Sequence, residues 1–233
     1  MTCLDVLLSH GADINHRDKR GRTPVFEVIN TSNDNVHRKF LDKQPDLTIT
    51  DYSGQTPLFE LNPKLSRYAL IAKLIVGAGV DVAQRNNKGQ TFLHVAATTP
   101  FVVSDDFLAF VQLVFEQGFD VNARDNTGRT PLLEAAKALN EKLVALLIQH
   151  SADLNAADDH GWTPLSTAIA SGGLPSTILL LENGADPAKP GPNGEGLVDM
   201  AVRLGRDELI EPLKTAMEKR LTIRHEERTQ SAT

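Results

Sequence analysis

The chain has a single cysteine, Cys3, so no disulfide can form within it, and this fits a reducing compartment. Aromatic residues make up only 5% of it, and no apolar run approaches the roughly 20 residues a membrane-spanning helix needs. The short apolar stretch Leu4 to Leu8 contains Asp5 and follows no basic segment, which excludes a secretory signal at this point. Gly-rich phosphate loops, HExxH pairs, paired-cysteine metal patterns and a nucleophile elbow are all missing. The seven histidines are scattered and form no motif. These absences predict a protein that is not an enzyme, with no cofactor, no metal and no small-molecule substrate. A net charge of −6 argues against bulk attraction to nucleic acid or to acidic membranes. We therefore expect a cytoplasmic protein, with the nucleus left open.

What the chain does have is a repeat. Starts of the form Gly-x-Thr-Pro, or close to it, begin at Gly21, Gly54, Gly89, Gly128, Gly161 and Gly194, spaced by 33, 35, 39, 33 and 33 residues. A period in that range marks a stack of small units, each too small to bury its own apolar face. With 41% hydrophobic residues and few aromatics, the core is expected to be built from Leu, Val, Ile and Ala.

The clearest copy runs from Asp125 to Ala157. Thr130-Pro131 begins a helix, since Thr caps free amides and Pro is tolerated at the first helical position. Leu132, Leu133, Ala135 and Ala136 give that helix a face of small and apolar residues. After a turn at Leu139-Asn140, a second helix carries Leu143, Val144, Leu146, Leu147 and Ile148. Ser151-Ala152-Asp153 then leaves the helix and leads into an extended finger that ends at the next turn glycine.

Gly128-Arg129-Thr130-Pro131-Leu132, Gly11-Ala12-Asp13, Gly184-Ala185-Asp186 and the run Asp120 to Ala123 together resemble the ankyrin repeat, and the resemblance covers about residues 2–218. It implies an all-α ankyrin-repeat solenoid of stacked helix-turn-helix units with β-hairpin-like fingers. One repeat domain is expected over 1–220, with a partial repeat at 2–18, repeats starting near 18, 51, 86, 125 and 158, and a capping repeat at 191–220. The polar tail 221–233 is expected to be disordered.

Departures from the pattern carry information. The copy at Gly89 has Phe92 in place of proline, and its His94 resembles a structural hydrogen-bonding residue of the family rather than a ligand or base. That copy is also longer by six residues around Thr98 to Asp106, where Phe101, Val102 and Val103 precede the capping candidates Ser104, Asp105 and Asp106. Phe101 is either a binding anchor in a surface loop or a residue folded back on the stack. A smaller insertion surrounds Asn62-Pro63-Lys64. At the start of the chain, Leu4, Val6, Leu7 and Leu8 read as the second helix of a repeat whose first helix is absent, so the face calls for preceding repeats or another cover.

The resemblance further implies that a protein partner meets the finger tips and the first helices. Transferred copy by copy, the candidate contacts are Arg17, Lys19, Arg20 and Arg22 at the first turn and Tyr52 and Gln55 at the second. They continue with Arg85, Lys88 and Gln90 at the third, Arg124 and Arg129 at the fourth, and His160 and Trp162 at the fifth, with Phe101 in the insertion. Most are basic on an acidic chain, which points to an acidic segment in the partner. Trp162, the only tryptophan, occupies the place taken by Arg22, Gln55, Gln90 and Arg129 in other copies. With Tyr52 and His160 it is the expected hot spot, and replacing Trp162 or Arg129 by Ala is expected to cost roughly 1–3 kcal/mol of binding each without loss of the fold. Nucleic-acid binding through the basic fingers is the alternative, disfavoured because Tyr52 and Trp162 are the only aromatics there. A third reading takes Asn15, Asn122 and Asn155 as sites that resemble those modified by asparaginyl hydroxylases.

Overall fold

The short helices begin where the sequence places its Thr-Pro pairs. The structure, a computed structural model, describes residues 3–31, 34–64, 67–99 and 103–230. Its helices come in pairs of a shorter and a longer member, preceded by α1 (Cys3–Ser9). The pairs are α2 (Val25–Val28) with α3 (Asp34–Leu41), α4 (Pro57–Glu60) with α5 (Tyr68–Gly77), and α6 (Phe92–Ala97) with α7 (Asp105–Glu116). They continue with α8 (Pro131–Lys137) and α9 (Glu141–Gln149), α10 (Pro164–Ser171) and α11 (Leu174–Glu182), and α12 (Leu197–Arg203) and α13 (Ile210–Gln230). The expected all-α class holds, and no strand occurs among the described residues. The fingers are hydrogen-bonded turns rather than hairpin strands.

Pro57, Pro131 and Pro164 open their helices, where a missing amide removes no helical bond. Thr130 Oγ1 accepts from the Leu133 amide at 3.4 Å. At Thr163 the cap is reciprocal: its Oγ1 accepts from Ser166 N at 3.1 Å, and Ser166 Oγ accepts from Thr163 N at 2.9 Å. His94 plays the Ser166 part in the proline-less copy, its Nδ1 accepting from Thr91 N at 3.1 Å. It is fully buried, and its bond to Thr91 lies within its own copy, whereas the resemblance implied a structural bond between neighbouring turns.

The helices form two compact units. One holds the described residues of Met1–Ala96 and Val103–Asp120, the other those of Ala97–Val102 and Val121–Thr233. The second unit matches the expected core: Leu132, Leu133, Ala135, Ala136, Leu143, Val144, Leu147, Ala168 and Ile169 are almost or wholly buried. Alanines at the contact let α8, α10 and α12 pack in succession. The first unit departs from that expectation, because its centre is aromatic. Tyr68 meets Phe107 edge to face at 4.8 Å, Phe92 meets Phe110 at 5.9 Å, and Phe119 lies 5.7 Å from Phe92. Low overall aromatic content concealed this, since the rings are concentrated where α5 and α7 pack together.

The two insertions are neighbours in space. Ser104 Oγ caps α7 by accepting from Phe107 N at 3.1 Å, while its own amide donates to the Pro63 carbonyl at 2.8 Å. Asp106 caps α5 instead of its own helix, accepting from Ala69 N at 3.0 Å. Val103 is buried, and Phe101 lies outside the described residues. At the other end α13 continues to Gln230, so residues 221–230, expected as disordered tail, are helical. Glu, Lys, Arg and Gln are all good helix formers, and a polar composition alone does not end a helix.

Candidate functional site

Five fingers share one turn, built from the residue three positions before the turn glycine. Asp18, Asp51, Asn86, Asp125 and Asp158 each accept, through one side-chain oxygen, the amides two and four residues ahead. These are Asx turns closed a second time by the backbone, as in Asp125 N to Arg129 O at 2.9 Å. The glycines Gly21, Gly54, Gly89, Gly128, Gly161 and Gly194 all have φ between +73° and +82°, where a Cβ is strained. Gly21 and Gly54 also leave room for the next finger. A Cβ on Gly21 would meet the Tyr52 ring at 2.7 Å, and one on Gly54 would meet Asn87 Oδ1 at 2.7 Å.

Finger tips are tied to one another inside each unit. In the first, Tyr52 N donates to Arg20 O and Asn87 N to Ser53 O, both at 2.9 Å; in the second, Asp159 N donates to Thr127 O at 3.0 Å. Further along, finger asparagines accept from the following repeat: Asn15 from Asp46 N at 2.9 Å, Asn122 from Asp153 N and Asn155 from Asp186 N at 2.8 Å each. The three asparagines read as hydroxylation sites thus have their carboxamide oxygens in structural use.

Of the candidate contacts in the first unit, Arg17, Lys19, Arg20, Tyr52, Arg85 and Lys88 are exposed, while Arg22, Gln55 and Gln90 are half-buried. Arg22 is committed to the fold, pairing with Glu27 at 2.9 Å and Asp18 at 3.6 Å. Arg17 donates to Gly21 O at 3.1 Å and to the Thr50 carbonyl of the next finger, and its Cζ stands 5.4 Å from the centre of the Tyr52 ring. Arg85 donates to Gly89 O at 2.7 Å. The side chains of Lys19, Arg20 and Lys88 make no hydrogen bond or ion pair among the described residues.

In the second unit, Arg124 and His160 are exposed and Arg129 and Trp162 half-buried. Arg124 donates to Ala157 O at 2.5 Å. Arg129 is held between two buried carboxylates, with Nε 2.5 Å from Glu134 and Nη1 3.0 Å from Asp158. Removing Arg129 is therefore expected to cost stability, where the sequence alone suggested that it could be replaced without loss of the fold. The recurrence of Arg and Glu five residues apart, as Arg22 with Glu27 and Arg129 with Glu134, was visible in the sequence; the link to Asp158 was not.

Three carboxylates sit low. Backbone hydrogen bonds from Arg22 hold Asp18 below its ordinary value, the Thr48 hydroxyl and amide do the same for Asp46, and a two-pronged contact with Arg203 lowers Glu195. All three favour the charged form, and none is poised for proton transfer near neutrality. Among the described residues, no cluster of three or more His, Cys, Asp or Glu could hold a metal ion, and no helix is long and apolar enough to cross a membrane. A groove of about 860 Å³ between α11 and α13, floored by Ile178, Leu181, Ala185, Pro212 and Ala216, was not foreseen.

Residues 101–190 match the family model for ankyrin repeats in three copies. Rabankyrin-5 of Mus musculus is 35% identical over 144 residues, 59% of this chain and 12% of that protein. An alpha-latrotoxin of Latrodectus geometricus is 31% identical over 144 residues, 60% of this chain and 10% of the toxin. The chain therefore spans only about a tenth of the length of these two relatives. The ankyrin repeat protein YahD of Escherichia coli is 31% identical over 153 residues, 62% of this chain and 71% of that protein. With the six turn glycines, the paired helices and the tied fingers, these likenesses show that the chain belongs to the ankyrin repeat family.

Proposed function

We propose that the chain is a protein-interaction module that takes up an acidic segment of a protein partner along the basic finger edge of its first unit, with no catalysis of its own. The observation that carries this reading is the set of three exposed cations, Lys19, Arg20 and Lys88, without partners among the described residues, on a chain whose net charge is −6. An acidic body with a locally positive edge steers an anionic segment to that edge and repels it elsewhere, and added salt weakens the attraction. The neighbouring arginines support the edge rather than compete with it. Arg17 and Arg85 brace the turns with part of their guanidinium groups while remaining exposed. In the second unit, exposed His160 and half-buried Trp162 offer an aromatic contact of their own. A cytoplasmic or nuclear setting is consistent with the single cysteine.

The test is quantitative affinity capture with the full chain and a triple variant, Lys19→Glu, Arg20→Glu and Lys88→Glu, beside a control, Lys73→Glu, at an exposed position of α5. Partners held by the edge should fall at least tenfold with the triple variant, remain with the control, and weaken as salt rises. Partners captured equally by all three forms would remove the finger edge from the account. Oligonucleotide capture that is lost with the triple variant, without loss of protein, would favour the nucleic-acid reading.

A further inference from the structure

Tyr52 is the most exposed large aromatic or aliphatic side chain among the described residues, at 67% of its surface, yet nothing about it is loose. Its amide donates to Arg20 O at 2.9 Å, and its carbonyl accepts from Asn87 Nδ2 at 3.0 Å, so the main chain is gripped by the finger on each side. The ring rests against Gly21, where a Cβ would come within 2.7 Å of Cδ1. The Arg17 guanidinium stands over the ring at 5.4 Å and is itself anchored on Gly21 O and Thr50 O. A side chain placed this firmly has little freedom left to lose on binding. Elsewhere in the first unit, Tyr68, Phe92, Phe107 and Phe110 are all at 2% exposure or less, and Phe119 is half-buried.

We propose that Tyr52, clamped between Gly21 and Asn87 and overlaid by Arg17, is the anchor for an aromatic side chain set among carboxylates in the partner segment. The inference rests on the proposed function and names what that segment must contain. A bare acidic run is satisfied by Lys19, Arg20 and Lys88, but it leaves the Tyr52 ring wet. An aromatic side chain buries that ring and shares its π-face with the guanidinium, an arrangement favoured over simple area burial. The three unpartnered cations stand on Tyr52's two flanking fingers, Lys19 and Arg20 on one and Lys88 on the other, so carboxylates on either side of the partner's ring meet opposite charge. A nucleic-acid strand is the poorer fit, because successive bases need successive stacking platforms and the equivalent tip positions of the first unit are Lys19 and Asn87.

The chain has two tyrosines, Tyr52 and the buried Tyr68, so labelling the full chain with 3-fluorotyrosine gives a reporter and an internal control. The probes are three synthetic heptapeptides with six glutamates around a central Trp, a central Ala, or a central Trp with lysines replacing the glutamates, together with a twelve-nucleotide oligo(dT). The expected result is that the acidic Trp peptide binds at least tenfold tighter than the acidic Ala peptide and moves only the Tyr52 resonance. Tyr52→Ala should remove that preference while Tyr52→Phe keeps it within about twofold, and Lys73→Glu, exposed on α5, should leave it unchanged. If the two acidic peptides bind alike and both are lost with the charge-reversed triple variant, the anchor is overturned while the basic edge stands. If charge reversal does not weaken either acidic peptide, the edge falls with it. Tighter binding of oligo(dT) or of the basic peptide also overturns the proposal.

Discussion

Arg129 reaches across from its own finger to Asp158 of the next, with Nη1 3.0 Å from a carboxylate whose side chain is wholly shielded from solvent. The same guanidinium lies 2.5 Å from Glu134, itself 8% exposed. One cation thus neutralises two buried anions belonging to successive repeats. Arg129→Ala leaves both carboxylates buried and unpaired, and breaking such an arrangement costs about 3–5 kcal/mol. Urea denaturation should show a large fall in midpoint for this variant. A midpoint within experimental error of wild type would show that the pairs do not form.

Tyr68 presents the opposite case. It is fully buried against Phe107 and Phe110, its hydroxyl has no hydrogen-bond partner among the described residues, and burial pushes its pKa up, making it a weaker acid. Removing an unsatisfied buried hydroxyl while keeping the ring is expected to be neutral or stabilising by up to about 1 kcal/mol. Tyr68→Phe tests this in the same denaturation experiment, and a clear loss would reveal a bound water or partner at the hydroxyl.

Acid should loosen the fingers. Folding strengthens the acidity of Asp18, Asp46 and Glu195, so each contributes stability above its unfolded value, near 3.8 for aspartate and 4.5 for glutamate, that is lost as pH falls through the lower folded value. Asn86 makes the Asp18 pair of turn bonds without a charge, at 2.9 and 3.0 Å. Asp18→Asn should therefore keep the turn at pH 7 and reduce the loss of stability between pH 5 and pH 2. Melting temperatures across that range decide it, and an unchanged acid limb would remove Asp18 from the cause.

The turn glycines allow a matched comparison. Gly194→Ala meets open space and suffers only the left-handed backbone, at about 1–2 kcal/mol. Gly21→Ala suffers the same strain and also drives a methyl into the Tyr52 ring. The second variant should be the less stable of the two, and it alone should shift the Tyr52 fluorine signal.

The repeat was legible because its markers are local. A turn glycine and a Thr-Pro helix start each fit inside one short window of sequence, and the copies that have both realise them where the period placed them. Tertiary choices were not legible in that way. Arg129 looks like any finger arginine until Glu134 and Asp158 are seen beside it, one of them 29 positions away. Phe107, Phe110 and Tyr68 look like ordinary helix residues until α5 and α7 bring their rings together. At the candidate edge, Lys19, Arg20, Tyr52 and Lys88 could be named from the pattern, but only the structure separates them from Arg22, whose charge is already spent on Glu27.

The tip-to-tip bonds give the finger edge an uncommon dynamic character. The amides of Tyr52, Asn87 and Asp159 sit at the ends of open loops, where solvent exchange is normally fast, yet each is donated to the carbonyl of a preceding tip at 2.9 or 3.0 Å. Releasing one of them requires two fingers to part, so these loop-end hydrogens should persist in deuterated solvent for as long as those of the neighbouring helix interiors. Within each unit the finger edge proposed as the binding surface should then open as slowly as the core beneath it.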